Sequence, residues 1–314
     1  MKVYFGFDTS NYTTSFAAVD EAGIVLVNAK QRLKVRNGER GLRQSEAVFQ
    51  HTAAGDFVET SVKDFFIKYP QAVVDAVGYS AKPRDIEGSY MPCFLVGSTI
   101  AKCIGASMRI PCFPFSHQAG HVAAALISSG STDLCGKEFA AFHVSGGTTD
   151  ILHIRGFENG TFLIDQIGGT LDLNAGQVID RAGVMMGLDF PAGAELEKLA
   201  LNYKGEIPSY KPSVNGLDCN LSGIENKAQK LYKESSDREK TSAYVIKAVG
   251  DTLAALTDNL TAEHPDIPIV YAGGVMSCEI LHTRLGMYSS RFAAPELSSD
   301  NAAGIAYLTM LSSK

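Results

Sequence analysis

Phe139-Ala140-Ala141-Phe142-His143-Val144-Ser145-Gly146-Gly147-Thr148-Thr149-Asp150-Ile151-Leu152-His153-Ile154 reads as two apolar strands joined by a short polar turn, and its repetition decides the fold. Strands at Phe139 to Val144 and Thr148 to Ile154 flank Ser145-Gly146-Gly147. A turn at Phe157 to Gly160 then leads into a third strand, Thr161 to Ile167. The chain opens in the same way. A strand at Lys2 to Phe7 meets a polar turn at Asp8 to Tyr12, a second strand follows at Thr13 to Val19, and a turn at Asp20 to Gly23 leads to a third, Ile24 to Lys30. Thr13-Thr14-Ser15 falls where the later copy has Thr148-Thr149-Asp150, so the two meanders read as an internal duplication with slight sequence identity.

Each meander is followed by alternating helices and strands. In the first half the spacing predicts helices over Ser45 to Ile67 and Phe94 to Met108, with a strand at Ala76 to Ser80 between them. In the second half Ile246, Val249, Leu253, Leu256 and Leu260 keep helical spacing ahead of Pro265 and a strand at Ile267 to Tyr271. A meander followed by such units is the plan of a ribonuclease-H-like lobe. The expected fold class is therefore α/β, with two such lobes in the actin, sugar-kinase and heat-shock-ATPase manner and a nucleotide in an interlobe cleft. The expected division is residues 1–115 and 116–314, with the last helix packing on the first lobe. At 314 residues the chain is long for one core and sufficient for two.

Apolar residues at 45% and charged residues at 20% are ordinary for a globular enzyme. A net charge of −6 leaves no overall basic footprint, so nucleic-acid binding would need a local patch or a partner subunit. The first segment reaches Asp8 before a signal-type apolar region can form, and no apolar run spans a bilayer, so a cytoplasmic protein without membrane contact is expected. Six cysteines without a Cys-x-x-Cys pair fit reduced, packing thiols.

Four segments carry chemistry. His117 and His121 are four apart, and on a helix that spacing puts both rings on one face, roughly 6 Å apart along the axis, where they can share an ion once a third ligand joins them. The Ser145-Gly146-Gly147 turn can bring backbone amides and hydroxyls to an anion, and Gly273-Gly274, after a strand, permits close approach of an adenine or ribose. Gly176 lies one turn before Asp180 on a helix over Leu173 to Met186. Asp180 either reaches a ribose or small polar ligand or forms a solvated pair with Arg181. Asp300 precedes a final apolar helix, Ala302 to Leu311, either as its N-cap or as an oxygen ligand for the histidine pair.

In order along the chain, these segments resemble the TsaD family of tRNA threonylcarbamoyl transferases. Asp8-Thr9-Ser10 stands where the family has Glu-Thr-Ser, His117 and His121 lie in its metal helix, and Val144-Ser145-Gly146-Gly147 is its glycine loop. Gly176 and Asp180, Gly187-Leu188-Asp189-Phe190-Pro191-Ala192-Gly193, Leu221-Ser222-Gly223, Ala272-Gly273-Gly274-Val275 and Asp300-Asn301-Ala302-Ala303 continue the match. The resemblance implies one divalent metal, iron or zinc, held by His117, His121 and Asp300. It implies an adenylate-type substrate, threonylcarbamoyl adenylate, bound by His143, Val144, Ser145, Gly146, Gly147, Asp180, Gly193, Gly273, Gly274 and the position of Cys278. Asp8 takes the place of a catalytic carboxylate, and the partners implied are tRNA with TsaB-like and TsaE-like proteins.

The chain also departs from that pattern. Asn11-Tyr12-Thr13-Thr14 replaces Cys-Asp-Glu-Thr, and Lys82-Pro83-Arg84, with an added stretch to Pro92, replaces Gly-Pro-Gly. Gln118-Ala119 occupies the glutamate region of the metal helix, Thr148 replaces the loop histidine, and Cys278 replaces a nucleotide-contacting asparagine. Two alternatives therefore stand beside the transferase: a diverged metal- and nucleotide-binding paralogue that regulates or scaffolds, and an ATPase or kinase of the same fold. A metalloprotease lacks its general-base glutamate between the histidines.

Overall fold

The computed structural model describes residues 1–10, 12–35, 42–288 and 290–314. The chain packs as two compact units, residues 1–136 with 156–163 and 296–314, and residues 137–155 with 164–295.

The first unit is built on a five-stranded sheet. β1 (Lys2–Ser10), β2 (Thr13–Asp20) and β3 (Val25–Arg32) form the expected antiparallel meander, and β4 (Val73–Lys82) and β5 (Cys112–Ser116) add in parallel on the other side of β1, giving the order β3-β2-β1-β4-β5. The first turn is shorter than the Asp8-to-Tyr12 reading, since β1 runs to Ser10; Asn11 lies outside the described residues. β1 is central and buried beyond its first residue, with Phe5 and Phe7 packed edge-on or tilted against Phe16, and Phe5 edge-on against Phe65. The single helix expected over Ser45 to Ile67 is two, α1 (Gln44–Ala53) and α2 (Gly55–Lys68), broken at Ala54 ahead of a helix-weakening glycine. Buried His51 accounts for the break, because it ties α1 to the meander at Ser10 O (2.9 Å) and Thr14 Oγ1 (2.7 Å), while Val58 and Phe65 aim α2 at the aromatic core. α3 (Phe94–Met108) occupies the residues expected of it. α4 (His117–Ser128) and the last helix, α10 (Ala303–Ser312), pack on each other and belong to this unit. The boundary expected after residue 115 is thereby displaced: the alanine-rich face of α4 is buried with α10, which lies on β1, so α4 cannot be parted from the first sheet.

The second unit repeats the plan. β6 (Phe139–Val144), β7 (Thr149–Glu158) and β8 (Thr161–Thr170) form the meander; the β7–β8 tip, residues 156–163, which falls in the first unit, turns left-handed at Asn159 and Gly160. β11 (Ile269–Ala272) and β12 (Ser290–Phe292) add in parallel beside β6, while β9 (Ser213–Asn215) and β10 (Asp218–Asn220) extend the far edge, giving the order β12-β11-β6-β7-β8-β10-β9. Within it β8-β7-β6-β11-β12 reproduces the order of the first sheet, so the duplication inferred from the two meanders holds in topology. Helices α5 (Ala175–Met185), α6 (Gly193–Asn202), α7 (Ser222–Ser235), α8 (Arg238–Glu263) and α9 (Glu279–Leu285) share one core with the sheet, centred on the buried α8 residues Val245, Val249 and Leu256. Among the described residues, no helix is long and apolar enough to cross a membrane.

Candidate metal centre and glycine loop

β5 ends at Ser116, and α4 begins at the next residue. Ser116 has extended backbone and its Oγ accepts a hydrogen bond from Ala119 N at 3.1 Å, an N-cap that starts the helix at His117 and puts both histidines in its first turns. The added segment after β4 braces this junction: Gln118 N donates to Pro83 O at 3.0 Å, and Ser116 Oγ lies 2.6 Å from Asp85 Oδ2.

His117, His121 and Asp300 converge. His117 Nε2 and His121 Nε2 are 2.9 Å apart, and Asp300 Oδ1 lies 3.6 Å from the first and 3.3 Å from the second. Two donors each about 2.0–2.2 Å from a tetrahedral ion sit roughly 3.3 Å apart, so the three separations bracket the spacing an ion requires. Two imidazoles and a carboxylate suit iron or zinc. The three residues thus fit a divalent metal without rearrangement of the backbone. Asp300 is not the helix cap. Asn301 Oδ1 accepts from Ala303 N at 2.9 Å, and its amide donates to Leu297 O and Ser299 O, which leaves the Asp300 carboxylate to the histidines. Lys30 steadies the same segment by donating to Glu296 O and Ser299 Oγ, both at 3.1 Å.

Asp8 lies behind the His117 ring. It is 1% exposed, and its oxygens accept from Ser10 N, from Ser80 Oγ and from His117 Nδ1, the last at 2.6 Å. A carboxylate so enclosed behind the ring, on the nitrogen opposite the cluster, fixes the orientation of the His117 imidazole. Ser80, at the end of β4, has no motif to announce it and reaches Asp8 only because β4 pairs beside β1. Asp8→Asn is expected to weaken metal binding about 10–100-fold while the fold survives; competition titration with a chromophoric chelator measures it, and unchanged affinity would contradict the positioning role.

The cluster is electrostatically coupled. In the metal-free chain burial pushes the His117 imidazole down, but the Asp8 and Asp300 carboxylates outweigh it and lift the group to about 10. Burial likewise pushes both carboxyls up, and is outweighed at Asp8 by the charge and hydrogen bond of His117, and at Asp300 by hydrogen bonds from both histidines, so both stay below their ordinary range. A raised histidine stabilises the fold fully below its unfolded value of about 6.5 and loses that contribution as pH climbs toward its folded value. The lowered carboxylates contribute above about pH 4 and lose it in acid. Chelator-treated protein is therefore expected to show urea midpoints that fall between about pH 6.5 and 10, and metal uptake at neutral pH is expected to release protons. A slope identical in wild type and His117→Gln would contradict this origin.

In the second unit the glycine turn, the start of α5 and the end of β11 come together. Gly176 N donates to Ser145 O at 3.1 Å and Ala175 N to Thr149 Oγ1 at 2.9 Å, which seats α5 on the turn; a Cβ on Gly176 would stand 2.6 Å from Gly146 N. Gly273, at φ 101°, lets the chain leave β11 where a Cβ would lie 2.2 Å from Val144 O. Gly146, Gly147 and Gly274 are exposed, at the carboxyl ends of β6 and β11, where open α/β sheets take ligands. Two amides expected to face an anion are occupied within the turn, since Gly147 N and Thr148 N donate to Ser145 Oγ at 3.2 and 3.1 Å. Val144 is fully buried, so only its main chain can contribute, while His143 is half-buried and pairs with Asp150 across the ladder.

Asp180 is not the partner of Arg181, which bonds Glu225 at 3.2 Å. Asp180 Oδ1 accepts from Ala192 N at 2.9 Å, beside Gly193 at the start of α6, and burial pushes its carboxyl up against the lowering effect of that amide. Cys278 precedes α9, and burial pushes its thiol up to about 12; Glu197 accepts from Glu279 N at 2.7 Å and reinforces the shift. That thiol stays protonated at neutral pH and offers a weak contact where the family has an amide.

Solved structures share the fold across almost the whole chain at low identity. Component A of the (R)-2-hydroxyglutaryl-CoA dehydratase of Acidaminococcus fermentans superposes with a TM-score of 0.54 at 12% identity, covering 100% of this chain and 99% of its own. The activator of the 2-hydroxyisocaproyl-CoA dehydratase of Clostridium difficile, with bound ADPNP, has a TM-score of 0.52 at 11% identity over 99% and 95% of the two chains. A ROK family glucokinase of Streptomyces griseus with glucose and AMPPNP gives 0.52 at 11% over 98% of each. These likenesses establish the actin-like, sugar-kinase fold class and nothing finer. The family model for tRNA N6-adenosine threonylcarbamoyltransferase matches residues 64–307, most of the chain, including His117, His121 and Asp300. The chain belongs to the TsaD family.

Proposed function

We propose that this protein transfers a threonylcarbamoyl group from threonylcarbamoyl adenylate to N6 of a tRNA adenosine beside the anticodon. The observation that carries the reading is the convergence of His117, His121 and Asp300, backed by buried Asp8, in a chain of this family. In the reaction the adenosine N6 forms a bond to the carbamoyl carbon, the bond from that carbon to the phosphate oxygen breaks, AMP leaves, and N6 gives up one proton. A bound iron or zinc would supply Lewis-acid polarisation and orientation of the carbamoyl and phosphate oxygens. His117, His121 and Asp300 would hold it, and Asp8 and Ser80 fix the His117 ring so that Nε2 would present its lone pair.

In this reading the second unit takes the adenylate on the exposed Gly146, Gly147 and Gly274 backbone, with buried Gly273 giving close approach and His143, Asp180, Gly193 and Cys278 in the surrounding set. Ser145 already holds the Gly147 and Thr148 amides in one orientation, so rotation of its hydroxyl is what exposes them to a phosphate. The net charge of −6 favours tRNA capture through partners, for which TsaB-like and TsaE-like proteins are the candidates, in the reducing cytoplasm that suits its free cysteines.

Purified protein, given those partners, threonylcarbamoyl adenylate and unmodified tRNA, is expected to yield modified adenosine detectable by mass spectrometry of nucleosides. Absence of product despite adenylate binding would replace the transferase reading with that of a regulatory paralogue. Nucleotide turnover without tRNA would instead point to an ATPase or kinase.

A further inference from the structure

A second group of metal-type donors lies in the other unit and plays no part in the proposed reaction. Glu138 immediately precedes β6, His153 lies in β7, and His264 terminates α8. The β6–β7 register pairs Ala140 with His153, so Glu138, two residues before Ala140, is the diagonal neighbour of His153 on the same face. That face is the one covered by α8: Ala140 and Ile151 belong to the core that also holds Leu256 and Leu260 of the helix, and His153, two residues beyond Ile151, meets the helix end. His153 Nε2 and Glu138 Oε1 are 2.6 Å apart, the His153 and His264 rings are centred 5.0 Å apart, and one donor atom from each residue lies within 4.8 Å of the others.

We propose that Glu138, His153 and His264 form a second divalent-cation site of zinc type, with solvent completing the coordination. The donor set is the argument. Two imidazoles and one carboxylate are three protein ligands of the kind zinc takes, and hard cations such as magnesium would not select them. The backbone fixes the two histidines, on a strand and at a capped helix end, while the adjustable ligand is Glu138, whose side chain is 59% exposed and can swing to open the 2.6 Å contact to the roughly 3.3 Å that two ligands of one ion need. Bound metal would tie the end of α8 to the start of the β6–β7 hairpin, two segments more than a hundred residues apart in sequence. The site lies at the amino end of β6, whereas the glycine turn lies at its carboxyl end, so it is distinct from the nucleotide-type site of its own unit.

Full-length protein stripped with chelator and titrated with zinc chloride against a chromophoric competitor is expected to bind two equivalents. His264→Gln and His153→Ala should each bind one, the His117→Ala/His121→Ala variant one, and His264→Gln combined with that pair none, with circular dichroism confirming the fold of each. Two equivalents retained by both His264→Gln and His153→Ala would overturn the proposal. A single wild-type equivalent lost only with His117 and His121 would also overturn it and leave the transferase metal standing. A single equivalent lost only with His264 would support it and count against that first metal instead.

Discussion

The Gly304→Ala protein is expected to lose both stability and metal. A Cβ at residue 304 would lie 1.9 Å from Gly120 O, 2.8 Å from Gly120 C and 2.9 Å from Ala124 N. All three are main-chain atoms of α4, so no side chain can turn aside, and relief requires the two helices to part. Overpacking of a core typically costs about 1–3 kcal/mol, and this rigid case belongs at or above the upper end. For a domain of this size that is a fall in Tm of roughly 6–12 °C. The damage is local to function as well. Gly120 lies between His117 and His121, and Asp300 is four residues before Gly304, so parting the helices separates the ligands. The reverse substitution supplies the control: a Cβ on Gly120 meets the Ile305 side-chain tip at 2.8 Å, which can rotate, so Gly120→Ala should cost much less. Thermal unfolding and metal content of the two variants decide the matter; a Gly304→Ala protein with wild-type Tm would sink the argument.

Asp300→Ala is expected to remove the metal of the first site and with it transfer, while leaving the fold in place. The side chain is one of three ligands, so its loss should exceed the ~10–100-fold that outer-shell changes cost in affinity. The fold should survive because Asn301, not Asp300, supplies the side-chain oxygen at the start of α10. Asp300→Asn keeps the shape and one carbonyl oxygen but not the charge, and should fall between. The measurement is metal content after gel filtration beside circular dichroism; metal retained at wild-type level in the alanine variant would remove Asp300 from the ligand set.

Both predictions turn on contacts that no local pattern announces. Periodicity located the meanders, α3 and the apolar final helix because strand alternation and helical spacing are properties of a few neighbouring residues. It merged α1 with α2, since the break at Ala54 is enforced by His51 bonding to another strand. The His117–His121 pair was visible because both ligands share one helix. The place of Asp300 remained open between cap and ligand, and only the Asn301 contact to Ala303 took the cap away from it and left its carboxylate facing the histidines. Asp8 was noticed from its motif, but its burial behind His117 is invisible in the residue itself. Ser80 and the Glu138, His153 and His264 group were missed altogether, each member being an ordinary strand, loop or helix-end residue until sheet register and helix packing bring it beside the others.

From residue order alone came the α/β class, the duplicated meander, the histidine helix and the family pattern, all of which depend on spacings along the chain. Tertiary structure decided where the units divide, which carboxylate faces the histidines and which stands behind them, and how closely α10 approaches α4. The reason is physical: periodicity and turn chemistry act over a few residues, whereas a ligand set is completed by side chains that only packing makes neighbours. In this chain Asp8, His117 and Asp300 lie more than a hundred residues apart and meet because β1, α4 and α10 share one core.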